Sequence, residues 1–149
     1  MTSTDLDATA SIAVVERFLT ALAHSDVDAA VALTTDDLVW HNVGVPPLRG
    51  ARAVQALQGL ARPWMRFDVI LHNVASDGNV VLTERTDLLA LGPVTLEFWV
   101  CGTFELRDGK VAVWRDYFSM RDMLRGLAVG VGRLMLGRRG GRSSGYLGA

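Results

Sequence analysis

Cysteine is almost missing from this chain: Cys101 is the single thiol in 149 residues. One thiol cannot close an internal disulfide, so a packed core must hold the fold, and a reducing cytoplasm is the expected setting. Histidine is scarce too. His24, His41 and His72 stand far apart without the spacing of a ligand set, so no metal is expected. An excess of charge of one sign is missing as well. Fifteen basic against sixteen acidic residues leave a net charge of −1, which offers no broad field to a nucleic acid. No apolar run approaches the roughly 20 residues that a membrane-crossing helix requires. The first residues carry Asp5 and Asp7 and no basic group ahead of an apolar stretch, so no secretory leader is expected.

What the chain does have is apolar content, half of all residues. That is enough for one sizeable core at this length. A single catalytic α+β domain over 1–137 is expected, followed by a basic, Gly/Ser-rich flexible tail over 138–149. Near the start Ile12, Val15, Phe18, Leu19 and Leu22 recur at three- and four-residue spacing, which predicts an amphipathic helix. A short second helix follows with Asp26 placed to cap it. Residues 38–43 read as a strand running into the Pro46-Pro47 turn, and 50–61 as a third helix with Val54 and Leu57 on one face. From Trp64 the period changes to two. Residues 67–74, 80–91, 94–106 and 110–120 form four long runs rich in β-branched and aromatic residues. Gly92-Pro93 and Arg107-Asp108-Gly109 read as tight hairpin connections. Helices first and an antiparallel meander second predict α+β, with the helices packed against one face of the sheet. Met123, Leu124, Leu127, Val131, Leu134 and Met135 lie on a helical stripe over 121–137.

The chemistry is concentrated on two of these strands. Alternation puts Val81, Thr83, Arg85, Asp87 and Leu89 on one side of the second run, and Ala112, Trp114, Asp116 and Phe118 on one side of the fourth. A carboxylate among Trp, Phe and Leu is costly unless paired. Arg85 supplies that pairing for Asp87, and its planar fork can bridge to Asp116 if both strands share a concave surface. Two carboxylates held together in an apolar site do not both ionise easily, so one can donate a proton while the other accepts one. That suits addition of water to a strained ring without a cofactor. The plainer reading, exposed strand ion pairs on Arg85-Asp87 and Arg115-Asp116, has the same spacing.

At these residues the sequence resembles the limonene-1,2-epoxide hydrolase family, within the SnoaL-like/NTF2-like cone superfamily. The resemblance rests on Thr83-Glu84-Arg85-Thr86-Asp87 and Trp114-Arg115-Asp116-Tyr117-Phe118. Gly78 precedes the first motif and Asp108-Gly109 the second, with Gly44-Val45-Pro46-Pro47 and Arg49-Gly50 in the expected order. Phe98-Trp99-Val100-Cys101-Gly102 and the segment after Met123 look most like the mycobacterial and actinobacterial branch. The resemblance implies a six-stranded mixed sheet curled around a deep pocket, with three to four helices against its outer side, and a homodimer. It also implies roles. Asp87 would protonate the epoxide oxygen, Asp116 would take a proton from water, Arg85 would bridge them, and Asn42 would hold the water. Leu89, Phe98, Val100, Trp114 and Phe118 would line the pocket, and no cofactor would be needed. One position departs: Trp40 stands where the family has tyrosine. An indole N–H only donates, whereas a phenol also accepts. Trp40 can therefore orient the water as a donor or serve as pocket wall.

Cys101 reads as a small core residue rather than a nucleophile. Glu84 and Glu97 should face away from the pocket. Three functions stay open on this fold: hydrolysis of an apolar terpene, sterol or lipid epoxide to a vicinal diol; a ketosteroid-isomerase-like or polyketide-cyclase-like reaction; and non-catalytic lipid binding. The 121–142 segment has the apolar stripe and arginines of a helix that lies on a membrane surface, but packing on a second subunit would serve the same stripe.

Overall fold

The computed structural model describes residues 3–140. Its elements run α1 Ser3–Ala23, α2 Val27–Ala32, β1 Thr34–Asn42, β2 Leu48–Arg49, α3 Ala51–Gly59, β3 Met65–Asp77, β4 Val80–Leu91, β5 Val94–Arg107, β6 Lys110–Phe118 and α4 Met120–Gly140. They build the α+β architecture expected: one six-stranded sheet in the order β2-β1-β6-β5-β4-β3. β3 to β6 form the antiparallel meander, while β1 runs parallel to β6 and makes the sheet mixed. The sheet is open rather than closed into a barrel. The tail expected over 138–149 lies from residue 141 onward outside the described residues.

The turns follow local chemistry. Asp108 and Gly109 both have positive φ, 52° and 73°, the pair of left-handed residues that a two-residue turn needs to match strand twist. The β3–β4 connection is as tight, with Gly78 and Asn79 alone between the strands. At α2 the Asp26 carboxylate accepts from the Ala29 amide at 3.1 Å, as its cap position predicts.

Three elements differ from the sequence reading. β1 begins at Thr34 rather than at residue 38, since Thr34 pairs with Val111 before an irregularity that resumes at Val39. Exposed Asp36 and Asp37 hide this strand from any hydrophobic pattern. β2 has two residues, too few to show a period. The helices, expected on the outer side of the curled sheet, cover its inner side instead. Phe18 of α1 meets Phe104 and Trp114 edge-on at 6.2 and 5.2 Å between ring centres, and Gly126 of α4 lies over Leu96. The reason is hydrophobic: Val81, Leu96, Phe104, Leu106 and Trp114 all point to that side and are at most 5% exposed. Apart from Leu96, these residues form the core with Val15, Phe18, Leu19, Leu22 and Leu57. The opposite face leaves Ile70, Leu82, Trp99 and Tyr117 exposed.

Candidate active site

Cross-strand register assembles the site. On the inner face, one row across the sheet reads Val74, Thr83, Gly102, Asp116 and Asn42, and the next reads Val81, Phe104, Trp114 and Trp40. Arg85 lies opposite Val100, and Asp87 opposite Phe98. Strand alternation thus brings together residues that lie more than seventy positions apart in sequence.

Arg85 has no exposed surface, and Asp87 and Asp116 are 3% and 4% exposed. Its guanidinium grips Asp87 with two bonds, Nε to Oδ1 at 2.7 Å and Nη2 to Oδ2 at 3.0 Å. Nη2 also donates to Asp116 Oδ2 at 2.6 Å, and Nη1 donates to Thr83 Oγ1 at 3.2 Å. The planar fork therefore bridges both carboxylates, and a second tie to Thr83 fixes its plane. The faces of Phe104 and Trp114 lie about 6 Å from the guanidinium carbon, within cation–π range. Gly102 makes room for this. A Cβ built there would come within 2.2 Å of Arg85 Nη1, 2.7 Å of Thr83 Oγ1 and 3.0 Å of Asp116 Oδ1. Among the twenty side chains only hydrogen clears that space.

Asp116 accepts a further bond from Trp114 Nε1 at 2.7 Å. Trp114 is 1% exposed and stacks on Trp40, with ring centres 4.8 Å apart and planes within 6°. The buried Trp40 Nε1 has no hydrogen-bond partner among the described residues. Such a donor wants an acceptor, because an unmade buried hydrogen bond costs about 1–3 kcal/mol.

Burial pushes the Asp116 carboxyl up to about 6, against the opposing pull of Arg85 and with help from the nearby Asp87 charge. Burial also raises Asp87, again opposed by Arg85. Burial acts to lower the proton affinity of Arg85, but the two carboxylates outweigh it and leave Arg85 above its ordinary value. The trio holds one fixed positive charge and two carboxylates that resist joint ionisation.

A cavity of about 230 Å³ opens onto this group. Trp40, Asn42, Asp87, Leu89, Phe98, Trp114, Asp116 and Phe118 line it, together with Leu60, Phe67 and Met123. The last three come from the end of α3, from β3 and from α4, and the sequence reading did not single them out for the site. In that reading alternation places Thr83 beside Arg85 but gives it no role, and Gly102 is only a motif residue; the alternation of β5 puts Gly102 on the same face as Phe98. Val100 is fully buried opposite Arg85 and Phe118 but does not line the cavity. Cys101 lies on the other face of β5, partly buried opposite Glu84 and Tyr117 rather than in the core. Glu84 faces away from the site as expected, where it accepts from Asn73 and Trp99. His72 meets Thr86 on that same side. No cluster of three metal-ligating side chains occurs among the described residues.

Comparison with known proteins identifies the family and the fold. The sequence model of the limonene-1,2-epoxide hydrolase catalytic domain matches residues 9–129. Epoxide hydrolase EphG of Mycobacterium tuberculosis is 45% identical over 122 residues, 82% of either chain. The solved structure of an M. tuberculosis LEH-like epoxide hydrolase superposes with a TM-score of 0.80 at 44% identity, covering 87% of this chain and 97% of the other. A SnoaL-like protein of Jannaschia sp., 16% identical, shares the fold with a TM-score of 0.71 over 85% of this chain and 94% of its own. With the family's domain spanning most of its length, and a relative this similar over the same span, the chain is an enzyme of the limonene-1,2-epoxide hydrolase family.

Proposed function

We propose that this epoxide hydrolase adds water to an apolar epoxide in one step, with Asp116 as general base, Asp87 as general acid and Arg85 as the bridge between them. The observation that carries this reading is the buried Asp87–Arg85–Asp116 group, whose two carboxylates line a cavity walled otherwise by Asn42 and apolar side chains. Asn42 is the register partner of Asp116, so a water held by its amide lies beside that carboxylate. Asp116 takes one proton from the water, whose oxygen forms a bond to an epoxide carbon. The carbon–oxygen bond of the ring breaks, and the departing oxygen takes the proton of Asp87. The product is a vicinal diol, and the proton then returns from Asp116 to Asp87 by way of solvent. A base works best with a pKa near the operating pH, and a value of about 6 meets that need. Arg85 stays charged throughout, which limits the cost of moving negative charge from one carboxylate to the other.

Trp40 adds a donor without a partner at the cavity wall. It can hold the water oxygen through a lone pair, leaving both water protons to Asn42 and Asp116. Leu89, Phe98, Trp114 and Phe118 supply apolar contact, joined by Leu60, Phe67 and Met123. A space of about 230 Å³ lies below the range of roughly 300–1,000 Å³ for sites that enclose drug-sized ligands. It therefore suits a compact terpene-like epoxide or one end of a longer lipid better than a whole sterol.

The same reading expects a homodimer joined through the exposed sheet face around Ile70, Leu82, Trp99 and Tyr117, and a cytoplasmic location. No helix among the described residues is long and apolar enough to cross a membrane. The test of the reaction is diol formation from limonene oxide, a small meso-epoxide and a sterol epoxide, with Asp116→Asn beside the parent. Turnover by the parent that is lost in the variant supports the reading; full-rate turnover by the variant overturns it.

A further inference from the structure

We propose that Trp114 is a positioning residue for the base: its indole N–H, locked in direction by ring packing, holds Asp116 Oδ1 and fixes how the carboxylate meets the water. This inference rests on the assignment of Asp116 as base. The bond itself is short, 2.7 Å from Nε1 to Oδ1. The ring that carries it is held on every side. Trp40 stacks on one face at 4.8 Å, Phe104 lies nearly parallel at 6.0 Å, and Phe18 meets it edge-on at 5.2 Å. A fully buried indole in such a stack cannot swing its N–H away without opening the core.

The consequence for Asp116 is geometric. Arg85 occupies Oδ2 and Trp114 occupies Oδ1, so both oxygens are tied from different directions and the carboxylate plane is set. Without the indole, a single contact to Nη2 remains, and the group can turn about it. The bond also favours the ionised form, since a donated hydrogen bond stabilises a carboxylate more than a carboxyl. The ionisable groups around Asp116 are Arg85 and Asp87, both from β4. The other elements that meet it or share its cavity present neutral side chains: Gly102 from β5, Asn42 and Trp40 from β1, and Met123 from α4. Trp114 therefore does more than line the cavity. It donates to the proton acceptor.

Two measurements separate this role from that of a wall. In the intact protein with nitrogen-15 label, the Trp114 indole N–H resonance is expected to titrate with Asp116, with a midpoint of about 6. The four indole resonances are assigned with Trp40→Phe, Trp64→Phe and Trp99→Phe variants. In Asp116→Asn that titration should vanish. In Trp114→Phe, which keeps an aromatic ring and loses the donor, the acidic limb of kcat should move up by about one pH unit, since a hydrogen bond to a charged group is worth about that much. A Trp114 resonance that stays flat across the range overturns the proposal, even if Trp114→Phe fails to fold. So does a Trp114→Phe enzyme that changes KM alone and keeps its acidic limb. If instead Asp116→Asn keeps full activity, the assignment of the base is what fails, whatever the indole resonance does.

Discussion

The two faces of one sheet use the same residue types to opposite ends. On the inner face Arg85 bridges Asp87 and Asp116, all three at most 4% exposed. Elsewhere on the sheet Arg107 pairs with Asp37 in contact with water, and Arg115 pairs with Glu105 partly exposed. Glu84 and Asp87 stand three residues apart on β4, yet burial raises Asp87 while Asn73 and Trp99 hold the half-buried Glu84 below its ordinary value. The difference lies in the solvent. Water screens the more exposed pairs, whereas its exclusion from the inner trio raises both carboxylates above their ordinary value. On the proposed reading, charge on the inner face serves the chemistry, because for stability alone a hydrocarbon would do as well.

Breaking the inner face should have the largest effect. Asp116→Asn is expected to lower kcat by about 10²- to 10⁴-fold, the usual contribution of a general base, with the folded spectrum retained. Steady-state diol assays beside circular dichroism check this. Gly102→Ala comes next. Its methyl would press on the guanidinium and on Thr83, so a loss of about 1–3 kcal/mol in chemical denaturation is expected, with a drop in kcat from the displaced trio.

Acidity sharpens the comparison without changing a residue. Activity should fall below about pH 6 as Asp116 takes up a proton. Stability should move the other way. A carboxyl raised from 3.8 to about 6 binds its proton more tightly when folded. Its contribution to stability is therefore full below pH 3.8 and is lost as pH rises through about 6. The difference in denaturation midpoint between Asp116→Asn and the parent should thus grow in the variant's favour across that window. The smallest effect belongs to an exposed pair: Asp37→Asn should leave both kcat and Tm unchanged within error, because the Asp37–Arg107 pair stands in water.

This contrast also marks what the sequence could reveal. A period of two is enough to find the meander and to put Arg85 with Asp87, and Trp114 with Asp116, on the inner side of their strands. It also sends Glu84 to the opposite side. The pairing between those strands, and so the bridge itself, depends on turns that Asp108-Gly109 and Gly92 announce locally. The parallel contact of β1 with β6 has no such sign, because β2 to β5 lie between the two strands in sequence and Asp36 and Asp37 break the apolar pattern. Leu60, Phe67 and Met123 reach the cavity only through the curl of the sheet and the placement of α3 and α4, which spacing does not encode. Which side the helices cover was likewise invisible in periodicity, and the expectation from resemblance pointed the wrong way. The need for Gly102 becomes evident only once Arg85, Thr83 and Asp116 converge on its α-carbon.

The central claim is that water attacks the epoxide directly, with the buried carboxylates moving protons only. A single turnover in oxygen-18 water, with enzyme in excess over epoxide, tests it most directly. The account predicts that the first diol formed carries one labelled oxygen and that the protein carries none. First-turnover diol with unlabelled oxygen at both positions, followed by label in an aspartate of the enzyme, would mean that a carboxylate attacks the ring and would contradict it.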